Sequence, residues 1–383
     1  MTKFRMNRAI AIFCSMLLLL PSGMRAQVKG SPEKSKEIVP GGVWNDVDGN
    51  YINAHGGGVL SYGGKYYWFG EHRPDKKFST QVGVTCYSST DLCNWKYEGV
   101  SLSVSDKAGS DIEKGCIMER PKVIYNAKTK KFVMWFHLEL KGKGYEAARA
   151  GIAVSDTPVG PYRFIRSGRV NPGIYPQDMT AEEKATVWDE EEYKEWWTPK
   201  WREAVNKGLF VKRDLQSGQM SRDMGLFVDD DGKAYHIYSS EENLTMQIAE
   251  LTDDYMGHSG KYIRVAPGGH NEAPTMLKRN GMYWMITSGC TGWAPNEARM
   301  FSAPSIWGPW TQHPHPFVGK GAEKTFGGQS TFILSLPGDK YIFMADIWKP
   351  DSLMYSGYIW LPIDFDKSGK PVIVWKDNWK LSF

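Results

Sequence analysis

Gly63-Gly64-Lys65-Tyr66-Tyr67-Trp68-Phe69 is a tight turn running into an aromatic-rich strand, and the chain repeats this unit. Further copies are Lys130-Lys131-Phe132-Val133-Met134-Trp135-Phe136 and Asp231-Gly232-Lys233-Ala234-Tyr235-His236-Ile237-Tyr238. Two more follow as Asn280-Gly281-Met282-Tyr283-Trp284-Met285-Ile286 and Gly338-Asp339-Lys340-Tyr341-Ile342-Phe343-Met344. The turn residues supply the backbone freedom a hairpin requires. The strands are apolar on both faces instead of alternating, as in a sheet covered on both sides.

A second unit follows most copies. Val154-Ser155-Asp156-Thr157-Pro158-Val159-Gly160-Pro161-Tyr162 matches Phe301-Ser302-Ala303-Pro304-Ser305-Ile306-Trp307-Gly308-Pro309-Trp310, with a degenerate version at Ser88 to Trp95. Strand, polar turn and Gly-Pro-aromatic read as the outer hairpin of a propeller blade. Five copies of the first unit predict an all-β, five-bladed β-propeller, each blade a four-stranded sheet of about 65 to 70 residues. A two-sheet sandwich also uses many short strands, but has no reason to repeat its hairpins. Thr180 to Gly208, rich in Glu, Lys and Trp, carries no strand signal and reads as a helical insertion between blades 2 and 3. Its Glu190-Glu191-Glu192 cluster reads as a solvated face.

Composition agrees. Sixteen Trp, 19 Tyr, 16 Phe and 40 Gly suit aromatic strands joined by tight turns. Residues 1–26 read as a secretory signal peptide: a basic start at Lys3, Arg5 and Arg8, an apolar run from Ala9 to Leu20, then Pro21 and cleavage after Ala26. The run is well short of the roughly 20 residues a spanning helix needs. The expected product is therefore exported, to the periplasm, cell surface or medium, with no membrane insertion after the signal is removed. Residues 27–41 are expected to be a linker and 42–383 the propeller. Of 47 basic and 43 acidic residues, four basic ones (Lys3, Arg5, Arg8, Arg25) lie in the leader and no acidic one does, leaving 43 of each. A neutral chain argues against nucleic-acid or membrane-surface binding and suits a neutral partner such as a sugar. Cys86, Cys93, Cys116 and Cys290 allow three disulfide pairings, or none, and lack the CxxC spacing of a zinc site.

The innermost strand of each blade lines the central funnel, so a polar residue opening such a strand stands out. Glu119 and Arg120 precede one apolar strand, Asp223 another, Glu272 a third and Gln329 a fourth. Blade 1 has His55-Gly56-Gly57-Gly58 in that slot, with no acid, and Glu71 closes the neighbouring strand. Taken singly, each reads as a structural ion pair, with Arg120 neutralising Glu119; Asp229 to Asp231 reads as a hairpin turn. Carboxylates at one strand position in successive blades repel one another. Their convergence suits glycosidic cleavage, in which one carboxylic acid protonates the leaving oxygen and a second group activates water.

These slots resemble glycoside hydrolase family 43, and more narrowly its exo-β-1,3-galactanase subgroup. The motifs that carry the resemblance are Asn53-Ala54-His55-Gly56-Gly57-Gly58, Tyr67-Trp68-Phe69-Gly70-Glu71, Glu119-Arg120-Pro121-Lys122, Ser221-Arg222-Asp223-Met224, Asn271-Glu272-Ala273-Pro274, Gly328-Gln329-Ser330 and Tyr358-Ile359-Trp360-Leu361-Pro362. It runs from about Gly42 to the C-terminus. It implies an inverting hydrolase that releases galactose from β-1,3-galactan, the main chain of arabinogalactan. Glu272 is then the general acid and Asp223 the aspartate that tunes it. The wider family's base, an aspartate in blade 1, is missing here; the subgroup pattern gives that place to Gln329, with Glu119 beside it. Arg120 and His55 are expected to bind substrate. So are Glu71, on the axial O4 hydroxyl, and Trp293, on the apolar patch C3 to C6 that an axial O4 leaves on galactose. No cofactor is needed, and no ligand set for a structural cation such as calcium is readable. Two rival readings are an α-L-arabinofuranosidase or β-xylosidase, which the blade-1 aspartate would mark, and a non-catalytic glycan-binding propeller, which would not need a buried acid pair.

Overall fold

In the computed structural model, which describes residues 34–75 and 80–381, each turn–aromatic unit lies in the second strand of a blade. Blade 1 is β1 (His55–Tyr62), β2 (Lys65–Glu71), β3 (Gly83–Ser89) and β4 (Lys96–Ser103). Blade 2 is β5 (Ile117–Asn126), β6 (Lys131–Glu139), β7 (Arg149–Ser155) and β8 (Arg163–Gly168), and blade 3 is β9 (Met224–Val228), β10 (Ala234–Ser240), β11 (Thr245–Leu251) and β12 (His258–Val265). Blade 4 is β13 (Asn271–Arg279), β14 (Met282–Gly289), β15 (Arg299–Ala303) and β16 (Thr311–His313). A short β17 (Phe317–Val318) precedes β18 (Gln329–Leu336), β19 (Lys340–Ile347), β20 (Gly357–Phe365) and β21 (Pro371–Val374), and pairs parallel to β21 as a fifth strand of blade 5. The signal peptide and residues 27–33 of the linker fall outside the described residues.

Apart from the parallel β17, every blade is an antiparallel meander, and β1, β5, β9, β13 and β18 pack into a closed ring. The apolar side chains form five wedges between neighbouring blades. Trp68, Tyr87 and Trp95 of blade 1, for example, meet Leu334, Met344, Tyr358 and Trp360 of blade 5. This is why the strands do not alternate: both faces of each sheet are interior. Burying an aromatic of this size contributes about 1.5–3 kcal/mol. The Gly-Pro-aromatic units form the outer hairpins, β7–β8 and β15–β16.

The insertion is helical, as expected, and lies between β8 and β9. It comprises α1 (Ala181–Ala185), a 3-10 turn at Glu190–Tyr193, α2 (Pro199–Asn206) and α3 (Leu209–Arg213). Glu191 and Glu192 are exposed. Trp201, Val205 and Phe210 form a sixth small core beneath it. Cys86, Cys93, Cys116 and Cys290 are all free thiols. No helix among the described residues is long and apolar enough to cross a membrane.

Candidate active site

The polar residues that open the inner strands do converge. Glu71, Glu119, Arg120, Asp223, Glu272, Trp293 and Gln329 line one pocket of about 340 Å³. A β-bulge follows the polar residue in four of the five blades, between His55 and Gly58, Glu119 and Lys122, Glu272 and Thr275, and Ser330 and Phe332. Inside three of them one residue takes a left-handed backbone: Gly56 (φ 58°), Arg120 (φ 54°) and Ala273 (φ 53°). A bulge re-aims a side chain out of the pleat, and here it sits where each strand meets the funnel.

Glu272 Oε1 accepts from Asn243 Nδ2 at 2.8 Å. Burial, reinforced by the charge of Asp223, pushes its carboxyl up to about 7. Asp223 is gripped by Arg120, with Nε 3.0 Å from Oδ1 and Nη2 2.8 Å from Oδ2, and by the Ala273 amide at 3.1 Å. Arg120 therefore pairs with Asp223 and not with Glu119. Its Nη2 also donates to Gln329 Oε1 at 2.6 Å.

Glu119 belongs to a separate cluster. Its Oε1 accepts from Arg73 and from the Tyr145 hydroxyl, both at 2.9 Å, and its Oε2 lies 3.2 Å from His137 Nδ1. Burial alone would raise its pKa, but His137 and Arg73 outweigh it and hold the carboxylate far below the usual range. His137 is also 2.8 Å from Glu139 on its other nitrogen. Burial acts to lower its pKa, but the two carboxylates outweigh burial and push it up to about 9. One atom each of Glu119, His137 and Asp223 could gather within 4.8 Å around a cation. Arg73 and Arg120 already hold the two carboxylates of that trio, so the set does not fit a metal.

Glu71 is fully buried, and burial pushes it up to about 8 against the pull of Arg73. Arg73 Nη2 lies 2.7 Å from Oε2, yet neither oxygen has a hydrogen bond of good geometry. The triple glycine explains the missing blade-1 acid. A Cβ on Gly56 would stand 2.4 Å from Glu71 Oε1, one on Gly57 1.8 Å from the Phe69 carbonyl oxygen, and one on Gly58 2.7 Å from Lys122 Cδ. The space a blade-1 side chain would need at Gly56 holds the Glu71 carboxyl.

His55 does not reach the pocket, which corrects its expected contact with substrate. It is wholly buried, stacks on Tyr358 with ring centres 5.0 Å apart and lies 3.5 Å from Asp346. Trp293 is 41% exposed at the mouth, edge-on to Trp348. Sequence reasoning missed Arg73, His137, Tyr145, Asn243 and Trp348. Trp348 sits just past the end of β19, and His137 lies opposite Glu119 near the end of β6 as Glu71 lies opposite His55, so the rule that found Glu71 reaches them too. Arg73, Tyr145 and Asn243 are loop residues with no such signal.

The family model described as "Glycosyl hydrolases family 43" matches residues 198–347. Among solved structures, a family 43 β-1,3-galactosidase in complex with galactodeoxynojirimycin is 68% identical, with 90% of this chain and 100% of that one covered and a TM-score of 0.89. The exo-β-1,3-galactanase of Phanerochaete chrysosporium, solved with β-1,3-galactotriose, is 35% identical over 90% of this chain and 68% of that one, TM-score 0.72. That of Clostridium thermocellum is 35% identical over 91% and 67%, TM-score 0.73. A β-D-galactofuranosidase of Aspergillus niger is 30% identical over 128 residues, 33% of this chain and 37% of the relative's length.

Proposed function

The chain belongs to glycoside hydrolase family 43, and from that premise we propose that it is an inverting, exo-acting hydrolase that releases galactose from β-1,3-galactan. One observation carries the reading: a half-buried Glu272 with a raised pKa shares a single pocket with Asp223, Gln329, Glu71 and Trp293, in a chain that matches a β-1,3-galactosidase over that protein's whole length. A pocket near the small end of the ligand range suits a chain end better than a passing strand.

In this reading Glu272 protonates the leaving glycosidic oxygen, the role a carboxylic acid fills only while it still carries its proton at working pH. Asp223, immobilised by Arg120, keeps that proton on through like-charge repulsion. Gln329 orients the attacking water; as the water oxygen bonds to the anomeric carbon and the glycosidic C–O bond breaks, the water's proton passes to solvent, and Glu272 then regains its proton from solvent. Glu119 assists by fixing Arg73, His137 and Tyr145; with two donors on one oxygen and the His137 ring beside the other it is a poor proton acceptor. Glu71 presents carboxyl oxygens without good partners, which the axial O4 hydroxyl of galactose satisfies, and the exposed ring of Trp293 covers the apolar patch that the axial O4 creates. The basic start and apolar run of residues 1–26 support export of the enzyme to its polysaccharide.

The test is product analysis on β-1,3-galactotriose. Wild type is expected to release galactose first as the α-anomer, seen by proton NMR before mutarotation. Glu272→Gln and Gln329→Ala are expected to lose about 10²-fold or more in kcat, the range for acid–base groups. Release of the β-anomer, or unimpaired Glu272→Gln, would refute the mechanism.

A further inference from the structure

Gln329 carries the least conventional role in the site, because an amide has two different faces and only one can meet the water. Its oxygen is held by two groups. Arg120 Nη2 donates to Oε1 at 2.6 Å, and the indole Nε1 of Trp348 donates to the same atom at 2.8 Å. Guanidinium and indole nitrogens are donors only, so neither could face the amide nitrogen. An sp² oxygen has two lone pairs, and both are thereby engaged. The nitrogen Nε2 donates one hydrogen to Ser288 Oγ at 3.0 Å, and among the described residues it has no second acceptor. Ser288 lies directly across the β13–β14 ladder from Glu272. The amide is therefore turned with its nitrogen toward Ser288 on β14, the strand paired with the one that bears Glu272.

We propose that Trp348 is a positioning residue: with Arg120 it locks the Gln329 amide by its oxygen, so that only the nitrogen is presented to the attacking water. The inference rests on the reading of Gln329 as the water-side group. Arg120 alone cannot supply this control, since its guanidinium is shared with Asp223 and the Ser330 carbonyl. Trp348 has no other hydrogen-bond acceptor among the described residues. Its ring stands 5.3 Å from that of Trp293, edge to face, and 5.7 Å from the guanidinium carbons of Arg73 and Arg120. The ring fixes the place of the N–H, and the N–H fixes the amide.

Trp348→Phe keeps an aromatic ring and removes the donor. On β-1,3-galactotriose its kcat is expected to fall about tenfold or more, as slight misplacement of a reacting group does, while KM and galactose affinity stay within about twofold. The decisive comparison is the same change in a Gln329→Glu background, measured under single-turnover conditions so that slow variants still give a rate. A carboxylate has two equivalent oxygens and no wrong way round, so there Trp348→Phe is expected to cost less than about threefold. A merely structural Trp348 would cost the same factor in both backgrounds. That result overturns the proposal, as does an unchanged kcat or a loss of galactose affinity that matches the loss of kcat. Wild-type protein that leaves β-1,3-galactotriose intact would instead refute the substrate reading. The same variants compared on an aryl β-galactoside would then test the lock separately.

Discussion

Gly56 stands where the wider family's blade-1 acid is expected, which invites the idea that an aspartate there would restore a conventional base. The geometry argues the reverse. With φ at 58° and Glu71 Oε1 2.4 Å from a Cβ, Gly56→Asp would strain the backbone and drive two carboxylates together. Activity is expected to drop about 10²-fold, from displacement of Glu71, and galactose affinity to fall with it; a gain in kcat would show that the slot is open. The acid makes a second residue-scale claim. A carboxyl raised to about 7 is protonated, and competent, below that pH and loses its proton above it. So kcat/KM is expected to fall about tenfold per pH unit on the alkaline side of 7. Asp223→Asn removes the like charge but not the burial, and should move that limb to lower pH without returning it to the ordinary carboxylate range. A limb unmoved by Asp223→Asn would assign the shift to burial alone. Glu272, Asp223 and Gln329 were legible as site residues in the sequence because each is a polar residue opening an otherwise apolar strand. Arg73, Tyr145 and Asn243 were not, since nothing local marks a loop residue that meets a carboxylate 26 or more positions away.

At the scale of elements, the second strands and outer hairpins follow from turn residues and aromatic runs, and the structure keeps them. The bulges do not follow so directly. Glu119-Arg120-Pro121 and Glu272-Ala273-Pro274 place a left-handed non-glycine residue between the carboxylate and a proline, a conformation that tertiary packing holds against local preference. The insertion was legible as helical, but its anchor was not. Arg264 on β12 is 7% exposed; it donates from Nη2 to Val205 O at 2.7 Å and from Nη1 to Asn206 O at 2.8 Å, capping the C-terminal end of α2. The same guanidinium pairs with the fully buried Glu241 at 2.7 Å. Arg264→Met would leave that carboxylate buried without its partner and free the helix end. The expected cost is about 3–5 kcal/mol, read as a lower urea midpoint, with new protease cleavage in the insertion. The ring of Trp197 in the insertion also packs, tilted, 5.4 Å from that of His270, two residues before Glu272, so kcat should fall as well. Unchanged stability in Arg264→Met would mean that the insertion is held by its apolar core alone.

The whole molecule depends on a closure that the sequence did not disclose, because it joins residues some 300 positions apart. Residues 27–41 read as a linker, yet Ile38 exchanges backbone hydrogen bonds with Trp379 at 2.9 and 3.0 Å. Gly41 and Gly42 pair likewise with Tyr358 of β20, so this segment latches onto blade 5. Tyr358 is the centre of this seam. Its hydroxyl donates to the Ile52 carbonyl at 2.8 Å and accepts from the Ala54 amide at 3.1 Å, and its ring stacks on His55 at the head of β1. That strand begins with the glycines that make room for Glu71, so the seam and the sugar site share a support. Tyr358→Phe keeps the stacked ring but strands a buried carbonyl and a buried N–H, at a cost of about 1–3 kcal/mol each. Its melting temperature is expected to fall by several degrees, the response of a domain this size to a few kcal/mol. Because the strain falls on the segment leading into Gly56, KM for β-1,3-galactotriose should rise while the alkaline limb set by Glu272 stays in place. Tyr238 supplies the control: it is equally buried, but its hydroxyl donates only to Gln247 within blade 3. If Tyr238→Phe shifts KM as much as Tyr358→Phe, the effect is general loosening, and the blade 1–blade 5 seam has no special hold on the sugar site.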